Sequence, residues 1–222
     1  MPLTNFFEYF LLKMAIIFND YSGVLRCIKF ATLKKLKNPD IRLSAKLILM
    51  HILSRLKLIK TFIFDMDGVL TDGNLLLDHE NNWLRKMNIR DGYALQLAAR
   101  SGFNIIVISG SDSEEVKNRL QKLGITNVFM KITDKEKFLK EMIFRKELLL
   151  NETLYMGDDI PDYSCMKIAG IAACPKNAAA EIKEISAYIS TFNGGEGCVR
   201  DVIEKVLKLN NKWVLTTNIP ST

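Results

Sequence analysis

Short apolar runs alternate along most of the chain with longer stretches whose apolar residues recur at helical spacing. The apolar runs lie at residues 58–64, 104–108, 127–130, 154–156, 171–173 and 188–190. Continuous runs of this kind are typical of strands covered on both faces, as in a parallel sheet. The stretches between them predict helices at residues 91–101, 113–123, 135–149, 162–169 and 178–185. The alternation predicts an α/β fold with a doubly wound, Rossmann-like parallel sheet.

Residues 73–90 break this alternation. Two apolar segments, residues 75–77 and 83–84, flank a polar turn at residues 78–82. The pattern predicts a β-hairpin inserted directly after the first strand of the sheet.

Basic residues are concentrated at the start of the chain. Residues 1–60 contain 11 Lys or Arg and 3 Asp or Glu, whereas the rest of the chain contains 20 and 22. We therefore predict a basic, partly helical N-terminal extension at residues 1–57, an α/β domain at residues 58–210 and a C-terminal tail at residues 211–222. The charge break also suggests the hypothesis that the native protein starts at Met50 and that the preceding residues are an over-long start assignment.

The composition argues against several other classes of protein. The apolar stretch at residues 6–18 is shorter than the roughly 20 residues of a membrane span and lacks the features of a signal peptide. We expect no membrane contact of the extension. No stacking aromatic residues interleave with the basic residues, so we also predict no nucleic-acid partner. The 4 cysteines and 2 histidines show no disulfide or zinc-binding spacing, which predicts a reducing, cytoplasmic location.

Acidic and other polar residues follow four of the predicted strands. Asp65 and Asp67 follow the first, Ser109 the second, Lys135 the third and residues 157–162 the fourth. In an open α/β sheet, ligands bind beyond these carboxyl ends of the strands. Carboxylates buried there are costly without a cation, and oxygen donors without His or Cys favour Mg²⁺. The set predicts a magnesium-dependent phosphoryl-transfer site.

Each motif taken alone is also typical of an ordinary surface feature. Asp-x-Asp-Gly and Gly-Asp-Asp sequences occur in plain turns, Ser109 can be a turn hydroxyl, and Lys135 can be the solvated start of a helix. Their order along the chain and their common position after predicted strands favour one functional site.

Together these motifs resemble the four motifs of the haloacid dehalogenase superfamily. They are Asp65-Met66-Asp67-Gly68-Val69, Ser109-Gly110, Lys135 and Gly157-Asp158-Asp159-x-x-Asp162. The lack of a cap domain and three further segments resemble the capless 3-deoxy-D-manno-octulosonate 8-phosphate phosphatases within that superfamily. These segments are Thr71-Asp72-Gly73, Asn88-Ile89-Arg90-Asp91-Gly92-Tyr93 and Gly194-Gly195-Glu196-Gly197-Cys198-Val199-Arg200. The resemblance covers about residues 58–205.

The resemblance implies a role for each acidic motif residue. Asp65 would be the nucleophile that forms an aspartyl-phosphate, and Asp67 would be the general acid and base. Mg²⁺ would be bound by the Asp65 carboxylate, the backbone carbonyl of Asp67 and Asp158. Asp159 and Asp162 would support this metal site.

Other residues would contact the substrate if the resemblance holds. Ser109 and the backbone of Gly110 would hydrogen-bond the phosphoryl oxygens, and Lys135 would neutralise charge on the nucleophile and the phosphoryl group. Asn88, Arg90 and Asp91 would lie near the sugar, and the glycine-rich tail with Arg200 would reach a neighbouring subunit's site. The alternatives are that Arg90 is only a charge close to a helix and that residues 194–197 are only a flexible turn.

Two departures from the family pattern bear on the substrate. Ser111 stands where many relatives have Arg after the second motif, and Gln96 stands where some relatives have Arg. Loss of a guanidinium removes a planar clamp for a carboxylate. Arg119 is a candidate replacement, and the alternative is that it is a solvated helix charge.

The implied reaction is the hydrolysis of 3-deoxy-D-manno-octulosonate 8-phosphate, a step in lipopolysaccharide inner-core synthesis. The capless relatives form homotetramers in which the hairpin builds an intersubunit barrel, which would cover its apolar side chains. Three alternatives remain open at this point. They are a phosphatase of a nine-carbon 2-keto-3-deoxy sugar acid 9-phosphate, a non-catalytic oligomerisation domain, and a membrane-surface or nucleic-acid binder that depends on residues 1–60.

Overall fold

The computed structural model describes residues 39–79 and 83–214. The strands in this part of the chain are β1 (Thr61–Phe64), β2 (Leu76–Leu77), β3 (Trp83–Leu84), β4 (Asn104–Ile108), β5 (Asn127–Phe129), β6 (Thr153–Met156), β7 (Ile171–Cys174) and β8 (Tyr188–Ile189). Six of them form one sheet in the order β5-β4-β1-β6-β7-β8, and every neighbouring pair is parallel. Strands β2 and β3 form a separate antiparallel hairpin.

Helices cover both faces of the six-stranded sheet. They are α1 (Pro39–Leu58), α2 (Ile89–Arg100), α3 (Glu114–Lys122), α4 (Lys135–Phe144), α5 (Tyr163–Ile168), α6 (Ala180–Ile185) and α7 (Cys198–Leu209). Phe62 and Phe64 of β1 point into a core shared with α1, α2, α3 and α7, whereas Ile63 points into a core shared with α4, α5 and α6. A strand buried on both faces in this way confirms the predicted doubly wound parallel sheet.

Several elements are shorter than the apolar pattern predicts. Residues 58–60 belong to the end of α1 and its connection to β1, so β1 starts later than predicted. Helix α4 ends at Phe144, and Lys146 just beyond it has a positive φ of 58°, a conformation that cannot continue a right-handed helix. The predicted helix at residues 162–169 is a 3₁₀ turn at Ile160–Asp162 followed by α5.

Helix α7 was not predicted, although its residues have the spacing of an amphipathic helix. The apolar residues recur at alternating gaps of three residues and one residue, and all are completely buried, namely Val199, Val202, Ile203, Val206 and Leu207. They pack in the core that α7 shares with α2 and α1. The glycine-rich segment before the helix therefore leads into a core element and not into a loose tail.

Helix α1 crosses the boundary predicted at residue 57. Leu49, Ile52 and Leu56 lie on one helix face and are buried, which contributes about 1.5–3 kcal/mol for each side chain. The division into domains and the hypothesis of a start at Met50 remain predictions. What was predicted for the apolar stretch at residues 6–18 lies outside the described residues.

The connection from β1 to α2 contains the hairpin and, in the residues described, no inserted domain. The predicted absence of a cap domain is therefore confirmed. Among the helices described, none combines the length and the apolar composition that crossing a membrane requires.

Candidate active site

The carboxyl ends of β4, β1 and β6 lie side by side. Phe64, the last residue of β1, is in register with Val107 of β4 and with Met156 of β6. The residues that follow these three strands, which include Asp65 and Ser109, therefore converge on one edge of the sheet. Parallel pairing thus brings together motifs that are far apart in the chain.

Lys135 forms the centre of a buried ion-pair cluster. Its Nζ lies 2.7 Å from Oδ1 of Asp65 and 2.8 Å from Oδ1 of Asp162. Lys135 is the first residue of α4 and is only 6% exposed, so it is not a solvated helix charge. The hydroxyl of Tyr155 donates a further hydrogen bond to Asp162 at 2.8 Å. Tyr155 was not predicted as a site residue, because a tyrosine within an apolar strand has the pattern of a core residue.

Burial and acidic neighbours change the pKa values in this cluster. Burial, together with Asp162, raises the pKa of Asp65 to about 8. Burial, together with Asp162 and Asp159, raises the pKa of Asp158 to about 7. Burial alone would lower the pKa of Lys135, but Asp65 and Asp162 raise it above its ordinary value. The single positive charge of Lys135 does not neutralise the negative charges that these carboxylates would carry. A further cation would favour their charged forms.

The oxygen donors fit a hard divalent cation. Carboxylate oxygens of Asp65, Asp158 and Asp162 all lie within 4.8 Å of one another. Oδ1 of Asp158 is buried and has no hydrogen-bond partner among the described residues, which is costly for a carboxylate unless a cation binds it. A Cβ at Gly68 would lie 2.0 Å from Oδ2 of Asp158, so the glycine makes room for this carboxylate. The donor set suits Mg²⁺.

The two acids predicted to support the metal site lie in different surroundings. Asp162 is 1% exposed, and its Oδ1 already accepts hydrogen bonds from Lys135 and Tyr155. Asp159 is exposed, and its backbone carbonyl accepts a hydrogen bond of 2.9 Å from the N–H of Asp162. Asp162 thus links Lys135 to the carboxylate cluster, and the role of Asp159 stays a prediction.

Asp67 is bound by an arginine that was not predicted. Arg85 follows β3 and donates from Nε to Oδ1 of Asp67 at 2.7 Å and from Nη2 to Oδ2 at 3.2 Å. The hydroxyl of Thr71 donates to the same Oδ1 at 3.3 Å. The Arg85 side chain is 2% exposed and that of Asp67 is 29% exposed. One basic residue after a short strand has no sequence pattern that indicates a site residue. Only the folded hairpin brings Arg85 to Asp67.

Ser109 is buried in the loop after β4. Its Oγ accepts a hydrogen bond of 3.0 Å from the N–H of Ser111. Its backbone N–H donates to the carbonyl of Phe129, and its own carbonyl accepts from the N–H of Ile132, both at 2.9 Å. Gly110 is exposed beside it. These bonds tie the loop to the connection that leads from β5 to Lys135.

The residues implied near the sugar have distinct contacts. Oδ1 of Asn88 caps α2 by accepting from the N–H of Arg90, and its Nδ2 donates to the carbonyl of Gly195 at 3.2 Å. Arg90 itself is exposed. Asp91 is 2% exposed, and its Oδ1 accepts from the N–H of Arg200 in the first turn of α7 at 2.7 Å. Burial raises the pKa of Asp91 to about 6. Asp91 therefore supports α7 from within the core.

The glycine-rich tail packs against the loop that follows Asp67. The N–H of Gly195 donates to the carbonyl of Val69 at 3.0 Å. A Cβ at Gly194 would lie 1.8 Å from the carbonyl oxygen of Gly68, so this approach of two backbone segments requires glycine. The tail supports the catalytic loop of its own chain, and a contact with a neighbouring subunit's site stays a prediction.

The two arginines proposed from the tail and from α3 differ in their surroundings. The Arg200 guanidinium lies 5.8 Å and 5.4 Å from the ring centroids of Tyr93 and Trp213. Nη2 of Arg119 lies 3.3 Å from the point where Gly92 would carry a Cβ. The missing side chain of Gly92 gives Arg119 space at the start of α2. Both arginines therefore lie against the first part of α2, Arg119 beside Gly92 and the Arg200 guanidinium beside the ring of Tyr93.

The predicted residues fall into three groups in the folded chain. The group in contact through its carboxylates and amine is Asp65, Asp158, Asp162 and Lys135. The group in the adjoining loops at the strand ends is Asp67, Ser109, Gly110 and Asp159. The group around α2 and α7 is Asn88, Arg90, Asp91, Arg119 and Arg200. The sequence prediction of one shared site describes the first group best.

Comparison with known proteins identifies relatives of this chain. A family model described as haloacid dehalogenase-like hydrolase matches residues 121–203. The chain is 26% identical over 162 residues to the 3-deoxy-D-manno-octulosonate 8-phosphate phosphatase of Salmonella typhi, which covers 73% of this chain and 86% of the relative. The corresponding protein of Escherichia coli K12 is 27% identical over 161 residues, with 72% and 86% covered.

Solved structures give a similar result. The crystal structure of the 3-deoxy-D-manno-octulosonate 8-phosphate phosphatase of Moraxella catarrhalis, in complex with a magnesium ion, a phosphate ion and a KDO molecule, is 33% identical with a TM-score of 0.70. The match covers 73% of this chain and 94% of that one. A haloacid dehalogenase superfamily hydrolase of Legionella pneumophila is 30% identical with a TM-score of 0.73, and 77% of this chain and 93% of that one are covered.

Proposed function

Because the chain belongs to the haloacid dehalogenase superfamily and, within it, to the 3-deoxy-D-manno-octulosonate 8-phosphate phosphatase family, we propose that it hydrolyses 3-deoxy-D-manno-octulosonate 8-phosphate. The products are the free sugar acid and phosphate, which places the reaction in the synthesis of the lipopolysaccharide inner core. The chain is a phosphoric monoester hydrolase, so the alternative of a non-catalytic oligomerisation domain is set aside. The observation that carries the proposal is Asp65, ion-paired with Lys135 at the end of β1 beside the other carboxylates.

In the first step, an Asp65 carboxylate oxygen attacks phosphorus and the bond from phosphorus to the sugar oxygen breaks. Asp67 donates its proton to that sugar oxygen, which leaves as a hydroxyl group. The phosphoryl group is then carried by Asp65 as an aspartyl-phosphate. Asp67 is suited to this role because its side chain is partly exposed beside Asp65 at the open edge of the sheet.

In the second step, the Asp67 carboxylate takes a proton from a water molecule. The water oxygen attacks phosphorus, the bond from phosphorus to Asp65 breaks, and phosphate leaves. Lys135 holds Asp65 in place through its 2.7 Å contact and offsets negative charge on the phosphoryl group. The Ser109 hydroxyl and the N–H of Gly110 would bind the phosphoryl oxygens. Each of these two displacements has a lower barrier than direct hydrolysis of the ester in a single step.

Three groups would hold Mg²⁺, namely the carboxylates of Asp65 and Asp158 and the backbone carbonyl of Asp67. The buried, unpartnered Oδ1 of Asp158 supports this assignment. When bound, the ion would neutralise charge on the phosphoryl oxygens and orient the phosphoryl group for in-line attack. Asp162 remains bonded to Lys135 in this arrangement.

The proposed substrate carries a carboxylate that needs a cationic partner. We propose that Arg119 supplies it, because its guanidinium lies over Gly92 at the start of α2. A planar guanidinium can bind a carboxylate through two parallel hydrogen bonds. Arg119 would replace the clamp that Ser111 and Gln96 cannot provide.

The substrate is tested by phosphate release with Mg²⁺ from the eight-carbon acid 8-phosphate, the nine-carbon acid 9-phosphate and glucose 6-phosphate, which has no carboxylate. We expect the eight-carbon acid to have the highest kcat/KM, by at least about tenfold. Arg119→Ala should raise KM for the acid by about tenfold and leave glucose 6-phosphate unaffected, since one bidentate contact is lost. The exposed Lys122 on the same helix, changed to Ala, is the control.

Each outcome of this panel has a distinct meaning. Preference for the nine-carbon acid would keep the mechanism and replace the substrate. A loss in the Arg119 variant that is equal for all three esters would refute the carboxylate contact. No turnover of any ester by the wild type would refute the proposed function.

We also propose that the protein is a homotetramer joined through its hairpin. The apolar side chains of the hairpin are exposed in the single chain, with Leu76 at 67% and Trp83 at 59% exposed. Exposed apolar clusters of this kind mark interfaces between proteins. The double change Leu76→Glu and Trp83→Glu should convert the tetramer to smaller species in sedimentation velocity runs.

Leu47→Glu is the control for this assembly, because Leu47 is also exposed but lies on α1. A wild type that sediments as a monomer at micromolar concentration would contradict the proposed tetramer. The cytoplasmic location and the role of the basic extension stay predictions.

A further inference from the structure

The Asp67 carboxylate is held asymmetrically. Its Oδ1 accepts two hydrogen bonds, from Arg85 Nε at 2.7 Å and from the Thr71 hydroxyl at 3.3 Å. Its Oδ2 accepts only one among the described residues, from Arg85 Nη2 at 3.2 Å. One oxygen is therefore anchored firmly, while the other is held more loosely in a side chain that stays 29% exposed.

Arg85 is built into the fold in a way that keeps its guanidinium in place. The side chain is 2% exposed, and Nη1 donates to the carbonyl of Trp83 at 3.3 Å. Just beyond it, Met87 pairs with Thr71 in an antiparallel bridge. The hairpin segment is thus joined to the catalytic loop at two places, at Asp67 through Arg85 and at Thr71 through Met87. A buried guanidinium with three directed donors is costly to place and fits one carboxylate orientation.

We propose that Arg85 is a positioning residue for the general acid and base, an inference that rests on the proposed function. Arg85 and Thr71 fix Oδ1 of Asp67 and so direct Oδ2 towards the leaving oxygen and, later, the attacking water. The proton that passes to the sugar oxygen as its bond to phosphorus breaks then comes from Oδ2. A misplaced acid slows this proton transfer without changing the attack by Asp65.

The experiment uses two esters that differ in their need for an acid. The sugar oxygen of 3-deoxy-D-manno-octulosonate 8-phosphate needs a proton to leave, whereas the phenolate of p-nitrophenyl phosphate leaves without one. In single-turnover measurements of ester cleavage, which isolate the first step from hydrolysis of the aspartyl-phosphate, Arg85→Ala should lower the rate for the sugar phosphate by about 10²-fold and the rate for the aryl phosphate by less than about threefold. Arg85→Lys, which keeps the positive charge but not the paired donors of the guanidinium, should recover only part of the loss. Asp67→Asn should show the same difference between the two esters in this first step, and both variants should slow the second step equally for the two esters.

Lys86→Ala is the matched control. Lys86 is the next residue in the hairpin and pairs with Asp72 at 3.5 Å, away from Asp67. We expect Lys86→Ala to keep wild-type rates on both esters. The rates of all variants are compared per folded molecule, and thermal melting gives the folded fraction.

The possible results separate this inference from the proposed function. An active wild type with an Arg85→Ala loss in the ester-cleavage step that is equal for both esters, or that Lys86→Ala reproduces, would overturn the positioning role and leave the function standing. A wild type that cleaves neither ester would overturn the proposed function and this inference with it.

Discussion

Asp65→Asn is expected to abolish phosphate release, with kcat lowered by at least about 10⁴-fold for every ester, whatever its leaving group. An amide cannot form the aspartyl-phosphate, and no positioning of the neighbouring groups replaces the missing nucleophile. The variant should fold, because Lys135 keeps its 2.8 Å contact with Asp162. Rapid-quench measurement of phosphate release, with melting curves for both proteins, checks the two expectations.

Asp112→Asn is the control for the loss of one carboxylate near the site. Asp112 lies beyond Ser109 and pairs with the exposed Lys131 at 2.7 Å. It should retain wild-type turnover. If Asp65→Asn kept activity within tenfold of the wild type, the nucleophile would have to be another group and the assignment of Asp65 would be wrong.

Lys135→Met should damage both stability and catalysis. The change leaves the carboxylates of Asp65 and Asp162 buried without their cation, and breaking a buried ion pair from one side costs about 3–5 kcal/mol. That cost is a large fraction of the free energy of unfolding of a typical domain. Among the molecules that remain folded, kcat should fall by about 10²–10³-fold, because the charge on the phosphoryl group is no longer offset. Urea unfolding and turnover per folded molecule measure the two effects.

Lys137→Met is the control that distinguishes the loss of the buried Lys135 from a general effect on helix α4. Lys137 is exposed two residues further along α4, so its loss should change the free energy of unfolding by less than about 0.5 kcal/mol. Equal destabilisation by the two changes would show that Lys135 acts only through the helix. A stable Lys135→Met variant would contradict the ion-pair cluster itself.

Much of the fold was predictable because the relevant signals are local. A run of apolar residues indicates a strand buried on both faces without any knowledge of its neighbours. The runs predicted at residues 58–64, 104–108 and 154–156 correspond to the parallel strands β1, β4 and β6. Element ends were predicted less well. Lys146 ended α4 early through its positive φ, a backbone choice that the apolar pattern does not encode. Helix α7, in contrast, was not predicted although the amphipathic spacing of its apolar residues is present in the sequence.

The candidate site was also predictable only in part. Asp65 and the acids after β6 were found from the sequence because they closely follow apolar runs, at the edge where a parallel sheet binds its ligands. Lys135 was found because it comes five residues after the run that ends at residue 130. The contacts among these residues could not be found from the sequence. The link from Lys135 to Asp162, and from Asp162 to Tyr155, depends on which strands are neighbours in the sheet.

The sequence by itself therefore determined the class of fold, the strand ends that carry chemistry and, through its resemblance to a known family, the kind of reaction. The tertiary structure alone decided that Arg85 binds Asp67 and that Gly194 packs against Gly68. The physical reason is that patterns of burial are set by each segment's own residues, whereas contacts between distant loops are set by strand order and backbone approach. Those depend on the whole chain at once.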